Sequence, residues 1–196
     1  MSTDISKFLD SLSRIFTDID AEYEKARAHY EGFSCDGCTD NCCTTVFHHH
    51  TLIEYFYFIE GLGKLDPKLF NIAAARSEGY LVAMRKQLGD LNAARIMCPL
   101  NFEGQCRIYE HRPLICRIHG MPGVLHTPRG KNEWQGCKVF NEKFAGRMDH
   151  VIDRTMFYTK IAALEGDLRE ELQYVQKYKK SIADMILDYK KEVEAE

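Results

Sequence analysis

The segment Cys35–Cys43 constrains this chain more than any other, because four of its nine residues are cysteine. The Gly, Asp, Asn and Thr residues between those cysteines predict tight turns rather than a helix or a strand. Turns of this kind let several sulfur atoms converge on one point. The remaining cysteines lie far downstream, and they are Cys98, Cys106, Cys116 and Cys137. We predict that the chain folds back so that the two sets meet at metal.

Length, charge and hydropathy narrow the class of protein. The 196 residues predict a single domain over 1–196, with a cysteine-cluster region at 33–140 and helical arms at 4–30 and 140–194. The net charge of −3, without a basic stripe, argues against a nucleic-acid partner. No apolar run reaches the roughly 18 residues of a membrane helix, and the N-terminus MSTDISKFLD lacks the pattern of a signal peptide. We therefore expect a cytoplasmic protein with no membrane partner. In that reducing compartment, eight cysteines indicate metal binding or redox chemistry in preference to disulfides.

Apolar periodicity predicts helices on both sides of the cysteine-rich centre. The predicted helices are 4–30, 51–60, 66–88, one from about 138 with Val151, Ile152, Met156, Phe157 and Ile161 on one face, and a final one with apolar residues from Leu168 to Val193. A capping-box pattern at Thr51–Glu54 and an Asp66-Pro67 start support the two middle helices.

The segments between these helices are predicted to be irregular. We expect an extended stretch at 44–50, a turn closed by Gly104, a short strand at 107–109 and a loop at 118–137. The expected fold is mainly α, with helical arms at both termini packed around an irregular, cysteine-rich metal-binding centre. The apolar stripe of the last helix is typical of internal packing, and a protein partner bound through the terminal helices is the alternative.

Clustered thiols favour soft metals. Thiolates select zinc, Cu(I) or iron–sulfur clusters, whereas hard, oxygen-loving cations do not. Cys35-x2-Cys38 is the usual first half of a structural zinc site. The run Cys35-x2-Cys38-x3-Cys42, together with a distant Cys98-Pro99, is also close to an iron–sulfur pattern. The spacing therefore fits zinc and an iron–sulfur cluster about equally well.

The adjacent pair Cys42-Cys43 limits how many sulfurs one metal can take. Successive side chains of an extended chain diverge, so both sulfurs fit poorly in one mononuclear tetrahedron. Either each sulfur serves a different metal, or only one of the two is a ligand. Eight cysteines would suffice for two four-sulfur sites.

Histidines and arginines near the cysteines have two interpretations each. In an extended segment His48 and His50 share one side and His49 points to the other, so one of them could be a ligand. The alternative, which we favour, is that they are exposed or pack on the helix that follows. Arg112 and Arg117 could offset the negative charge of a thiolate site, or they could form ordinary ion pairs, with Glu54 and Glu110 as candidate partners.

The cysteine pattern as a whole resembles a known family. Its motifs are the 35–43 segment, Cys98-Pro99-Leu100, Gly104-Gln-Cys106-Arg-Ile-Tyr109-Glu-His-Arg112-Pro113, Cys116-Arg117 and Gly136-Cys137. Over about 33–140 the chain is similar to the YkgJ-type cysteine-cluster family of zinc- or iron-chelating domains. The resemblance implies metal chelation through Cys35, Cys38, Cys42, Cys43, Cys98, Cys106, Cys116 and Cys137. One departure is the three-residue spacer before the cysteine pair, where that family more often has two.

Three functions remain open at this point. The first is a metal-binding protein with a structural, storage or delivery role. The second is an iron–sulfur enzyme of redox or methyl-transfer chemistry, since flagellin lysine methylases carry a similar cluster; no catalytic constellation is evident in the residues themselves. The third is a helical interaction module whose zinc only orders the loops.

Overall fold

A computed structural model describes residues 4–34, 42–87 and 94–195. Within these ranges the chain is mainly α, as predicted, with seven α-helices and five short strands. The helices are α1 (Ser6–His29), α2 (Leu52–Gly63), α3 (Pro67–Lys86), α4 (Leu114–Ile118), α5 (Lys138–Phe144), α6 (Thr155–Glu171) and α7 (Ile182–Ala195). The strands are β1 (Asn101–Phe102), β2 (Gln105–Cys106), β3 (Pro122–Thr127), β4 (Gly130–Gln135) and β5 (Ile152–Asp153). None of the described helices is long and apolar enough to cross a membrane.

The chain divides into two compact units, each formed by two stretches of sequence. The first unit combines Met1–Cys42 with Leu114–Val175, and the second combines Cys43–Pro113 with Gln176–Glu196. The single domain that the chain length suggests stays a prediction.

Helix α1 organises the first unit. Its apolar residues Leu12, Phe16 and Ile19 recur at the helical spacing and are fully buried, as the periodicity predicts. The helix packs against α6 and α4. At its C-terminal end, Tyr30 packs edge-on against Phe140 of α5, with ring centroids 4.8 Å apart. An aromatic cluster therefore joins the end of α1 to α5.

A small sheet in the first unit replaces the loop predicted for 118–137. Strands β3 and β4 form an antiparallel hairpin with Pro122 opposite Gln135 and Thr127 opposite Gly130, and β5 pairs with β3 in parallel. The glycines and prolines that favoured a loop include Pro128 and Gly130 (φ +129°), which lie at the hairpin turn. The loop prediction was wrong because turn residues were taken as marks of the whole segment.

Three helices build the second unit. Helix α7 packs against α3 and α2, and the buried residues Ile53, Phe58 and Ile186 belong to this core. Helix α3 begins as predicted, because Asp66 Oδ1 accepts the backbone N–H groups of Lys68 and Leu69 at 2.8 and 3.3 Å. Helix α2 also begins after Thr51, but the Thr51 hydroxyl donates to Glu54 Oε2 at 2.5 Å.

The final helix is shorter than the apolar stripe from Leu168 to Val193 predicts. Helix α6 ends at Glu171, Gln173 adopts a left-handed φ of +50°, and Val175 is 88 % exposed. Lys180 then pairs in antiparallel fashion with His49, and α7 begins only at Ile182. The apolar stripe from Leu168 to Val193 thus belongs to two helices, since backbone pairing in the intervening segment overrides the periodicity.

Two smaller predictions were also wrong. Ile152 lies in β5 rather than in a helix, and Met156 is 61 % exposed on α6, so the predicted apolar face starting at Val151 does not exist as one helix. The strand expected at 107–109 lies instead at Gln105–Cys106, and Tyr109–His111 forms a 3-10 turn. The hairpin turn that precedes Gln105 fixes how the two strands pair, and the extended segment therefore ends at Cys106.

Candidate metal centre

The eight predicted ligands fall into three groups. Cys43, Cys98 and Cys106 lie in the second unit, and Cys116 and Cys137 lie in the first. Cys35 and Cys38 lie outside the described residues, as does the side chain of Cys42. Their ligand roles therefore stay predictions from the sequence.

Backbone pairing brings Cys43 next to Cys98. The Cys98 N–H donates to the Cys43 carbonyl at 2.8 Å, and the Ile96 N–H donates to the Thr44 carbonyl at 2.8 Å. Thr45 and Arg95 continue this antiparallel contact as an isolated bridge. Residues about 50 positions apart in sequence thus lie side by side because their main chains satisfy each other's hydrogen bonds.

A tight turn and a hairpin return Cys106 to the same place. The Asn101 N–H donates to the Cys98 carbonyl at 3.0 Å, which closes a turn with Pro99 at its second position. Asn101 then pairs with Cys106 across β1 and β2. The hairpin turn has positive φ at Glu103 (+56°) and Gly104 (+84°), as a type I′ turn requires. The turn predicted at Gly104 is confirmed.

The three thiols interact electrostatically. Burial raises the pKa of Cys98 to about 12, the N–H of Leu100 opposes this by bonding the sulfur, and the nearby Cys43 and Cys106 raise the pKa further. Burial also raises the pKa of Cys106, while a hydrogen bond from the Ile108 N–H lowers it. The Cys98 and Cys106 thiols are therefore difficult to ionise on their own, although a backbone N–H partly offsets the effect of burial at each. A bound cation would supply the missing stabilisation of the thiolates.

The donor set fits zinc or iron, although the described residues do not form a complete coordination shell. Soft sulfur ligands with N–H donors directed at them are what a thiolate centre needs. Across the described ranges, no group of three or more Cys, His, Asp or Glu side chains has a geometry that could hold a metal ion. Cys43, Cys98 and Cys106 are thus near neighbours whose sulfurs would have to draw closer together to share one metal ion.

Cys116 and Cys137 have different surroundings. Cys116 is half-buried in the short helix α4. Cys137 is the N-cap of α5, where its sulfur accepts the Phe140 N–H at 3.4 Å. Gly136 before it has φ +88°, and a Cβ there would lie 2.7 Å from the Gly120 carbonyl oxygen, so this position requires glycine.

The histidine run lies beside the segment that precedes α7. His49 is buried, and burial lowers its pKa to about 3, with a smaller effect from the neighbouring His48 and His50. Its main chain exchanges both hydrogen bonds with Lys180, at 2.7 and 3.0 Å. His50 is exposed on the other side of the segment, as the extended backbone requires.

The two arginines differ in role. Arg117 is buried, pairs with Asp20 of α1 at 2.5 Å and lies over the Phe16 ring, so it belongs to the core of the first unit. Arg112 donates from Nε to the Tyr109 carbonyl at 2.8 Å. Its guanidinium carbon lies 3.5 Å from the centroid of the Tyr109 ring. Its positive charge lowers the pKa of Cys106. Of the two charge-offsetting candidates, Arg112 is therefore the one whose charge acts on a candidate ligand of the second unit.

Comparison with known proteins identifies the family. Residues 34–150 match the family described as "Putative zinc- or iron-chelating domain", whose short name is CxxCxxCC. The match covers more than half of the chain, so this protein belongs to that family. The resemblance found in the cysteine motifs is confirmed, and the Thr39–Asn41 spacer is one residue longer than the family's short name indicates. No curated protein and no solved structure matches the chain.

Proposed function

We propose that this protein binds zinc or iron through its cysteines, with Cys43, Cys98 and Cys106 as ligands of one centre. The observation that carries the proposal is the backbone pairing in the second unit, which brings Cys43 next to Cys98 and returns Cys106 to the same place through the turn at Cys98 and the hairpin of β1 and β2. Zinc and cluster iron usually take four protein ligands. The ligand roles of Cys35, Cys38, Cys42, Cys116 and Cys137 stay predictions from the sequence.

The proposed role is metal binding as such, in a reducing cytoplasmic compartment. The apolar residues of both terminal helices are largely used within the units, where α1 packs on α4 and α6, and α7 packs on α2 and α3. This internal packing favours the metal over a protein as the partner of the described part of the chain. Iron–sulfur redox or methyl-transfer chemistry is the second candidate, carried by the motif likeness to flagellin lysine methylases.

Metal analysis of anaerobically purified protein tests the proposal. We expect zinc or iron in stoichiometric amount, and the absorption spectrum separates them, because an iron–sulfur protein is brown and a zinc protein is colourless. Cys43→Ser, Cys98→Ser and Cys106→Ser should each lose metal from the same centre, since serine supplies no soft sulfur. Met97→Ser is the matched control, because it places the same residue beside Cys98 at an exposed position without removing a thiol.

Two results decide against the proposal. A folded, metal-free protein with freely titratable thiols would exclude metal binding altogether. Full metal content in all three serine variants would exclude this set of ligands.

Comparison of Cys42→Ser with Cys43→Ser tests the adjacent pair. If the two variants lose different fractions of the metal, the pair serves two centres. If one variant keeps its full metal content, the sulfur that it lacks is not a ligand.

A further inference from the structure

Strand β4 forms an open edge of the small sheet in the first unit. The strand order is β4-β3-β5, so β4 pairs with β3 along one edge only. Among the residues that the structure describes, no strand lies along its other edge. All six residues of Gly130–Gln135 are exposed. An edge of this kind presents backbone N–H and C=O groups that can pair with a strand of another chain.

Two opposite charges lie on one face of this edge strand. Lys131 and Glu133 are two residues apart, so their side chains point the same way. Lys131 Nζ lies 2.6 Å from Glu133 Oε1, and the two side chains are 60 % and 48 % exposed. An ion pair as exposed as this contributes little to the stability of one chain, so both charges are available to a partner. A lone lysine on an edge opposes pairing with a further strand, but a glutamate two residues away supplies the complementary charge.

The charges select one register if β4 pairs antiparallel with a second copy of itself. Alternate residues of a strand direct their main-chain groups to the same edge, so the two-fold axis of such a pair passes through a residue. An axis at Lys131 places lysine opposite lysine, and an axis at Glu133 places glutamate opposite glutamate, and both arrangements are destabilising. An axis at Asn132 places Lys131 of each copy opposite Glu133 of the other. Only this central register is complementary in charge.

The same register places a tryptophan opposite a glycine. Trp134 is the only tryptophan of the chain and is 38 % exposed. With the axis at Asn132, it lies opposite Gly130 of the second copy. A Cβ at Gly130 would have nothing within 4 Å, so the space beside this residue is open. An aromatic side chain across from an edge glycine covers the bare backbone and stabilises the pair. Charge and shape therefore favour the same register.

We propose that β4 pairs antiparallel with β4 of a second copy of this chain, with the two-fold axis at Asn132. The pairing joins two three-stranded sheets into one sheet of six strands. Two Lys131–Glu133 pairs form on one face, and two Trp134–Gly130 pairs form on the other. One strand from each copy makes a small interface, so the dimer is weak and depends on protein concentration. The proposal is independent of the metal centre.

Sedimentation equilibrium of the full chain, from about 1 µM to about 1 mM, tests the proposal. A reductant excludes disulfide-linked dimers. Trp134 fluorescence should move to shorter wavelength as the concentration rises, because the second copy covers the indole. Lys131→Glu and Glu133→Lys should each weaken association about tenfold or more, since each substitution places like charges opposite each other twice in the symmetric pair. Lys25→Glu in α1 is the matched control, because it makes the same change at an exposed position and should leave association unchanged.

Mixing the two charge variants tests the register itself. An equimolar mixture of Lys131→Glu and Glu133→Lys should associate, because the carboxylates of one variant lie opposite the ammonium groups of the other. The double variant Lys131→Glu/Glu133→Lys should associate as the wild type does. A wild-type protein that stays monomeric over the whole range overturns the proposal, and so does a dimer that both single variants retain. If the mixture and the double variant both stay monomeric, the proposed pairing is wrong. If a single variant fails to fold, the double variant decides.

Discussion

Arg154 shows how one glycine accommodates a buried cation. The residue is 3 % exposed, and its Nη2 donates to the carbonyls of Ile118 and Met121 at 3.3 and 3.4 Å. Its guanidinium lies 4.5 Å from the centroid of the Trp134 ring. Gly123 is directly opposite Trp134 in the hairpin, and a Cβ at Gly123 would overlap Arg154 Nε. The missing side chain on β3 therefore leaves the space in which this cation is packed.

Gly123→Ala should lower the free energy of unfolding by about 1–3 kcal/mol, because the new methyl group displaces a guanidinium that is held on two carbonyls and a ring. Urea unfolding measures the change. Gly166→Ala in α6 is the matched control, since nothing lies within 4 Å of the added Cβ, and helix propensity predicts a gain of up to about 1 kcal/mol. Equal stability of the two variants would show that Arg154 moves without cost.

The helices were predicted well where apolar spacing and capping residues were considered together. Helices α1 and α3 were predicted because apolar spacing and the Asp66 N-cap agree. Helix α7 was missed as a separate element, although Ser181-Ile-Ala-Asp184 is a capping-box pattern. In the structure Asp184 Oδ2 accepts the Ser181 N–H at 2.9 Å, and Ser181 Oγ accepts the Asp184 N–H at 3.2 Å. This start signal would have divided the last apolar stripe correctly.

Ser181→Ala should destabilise α7 by about 1 kcal/mol, because the Asp184 N–H loses its acceptor at the first turn. Amide hydrogen exchange should show the largest increase at the N-terminal end of α7. Ser13→Ala in the middle of α1 is the control and should be neutral or slightly stabilising, because alanine is the better helix former. Unchanged exchange in α7 would show that its packing on α3 alone fixes where the helix begins.

Each compact unit has an apolar core that does not consist of cysteine. Leu12, Phe16 and Ile19 are buried in the first unit, and Phe58 and Ile186 are buried in the second. The segments that carry Cys43, Cys98 and Cys106 are instead short bridges and two-residue strands with few hydrogen bonds. Metal removal should therefore affect these segments more than the helices.

Treatment with a strong chelator should speed amide exchange in 94–112 while the amides of α1, α3, α6 and α7 stay protected. Structural zinc contributes on the order of 10 kcal/mol of binding free energy, comparable to the stability of a whole domain. Removing it should therefore raise amide exchange most in the segments that carry the ligands. Exchange measured by mass spectrometry gives the regional pattern, and helical circular dichroism should largely survive. Cooperative unfolding of the entire chain would contradict this division. Adding back zinc or iron should restore protection in the same segments.

The sequence by itself determined the mainly α class, the helices with clear periodicity and the soft-metal chemistry of the thiols. These are properties of neighbouring residues and of side-chain type, so short stretches are enough to reveal them. Only the tertiary structure decided that Cys43 lies beside Cys98 and Cys106, and that Asn101 lies on the same face of the hairpin as Cys106. It also turned the predicted loop at 118–137 into a hairpin. Pairing between distant main-chain segments is set by hydrogen bonds that leave little trace in local composition, and the arrangement of ligands depends on that pairing.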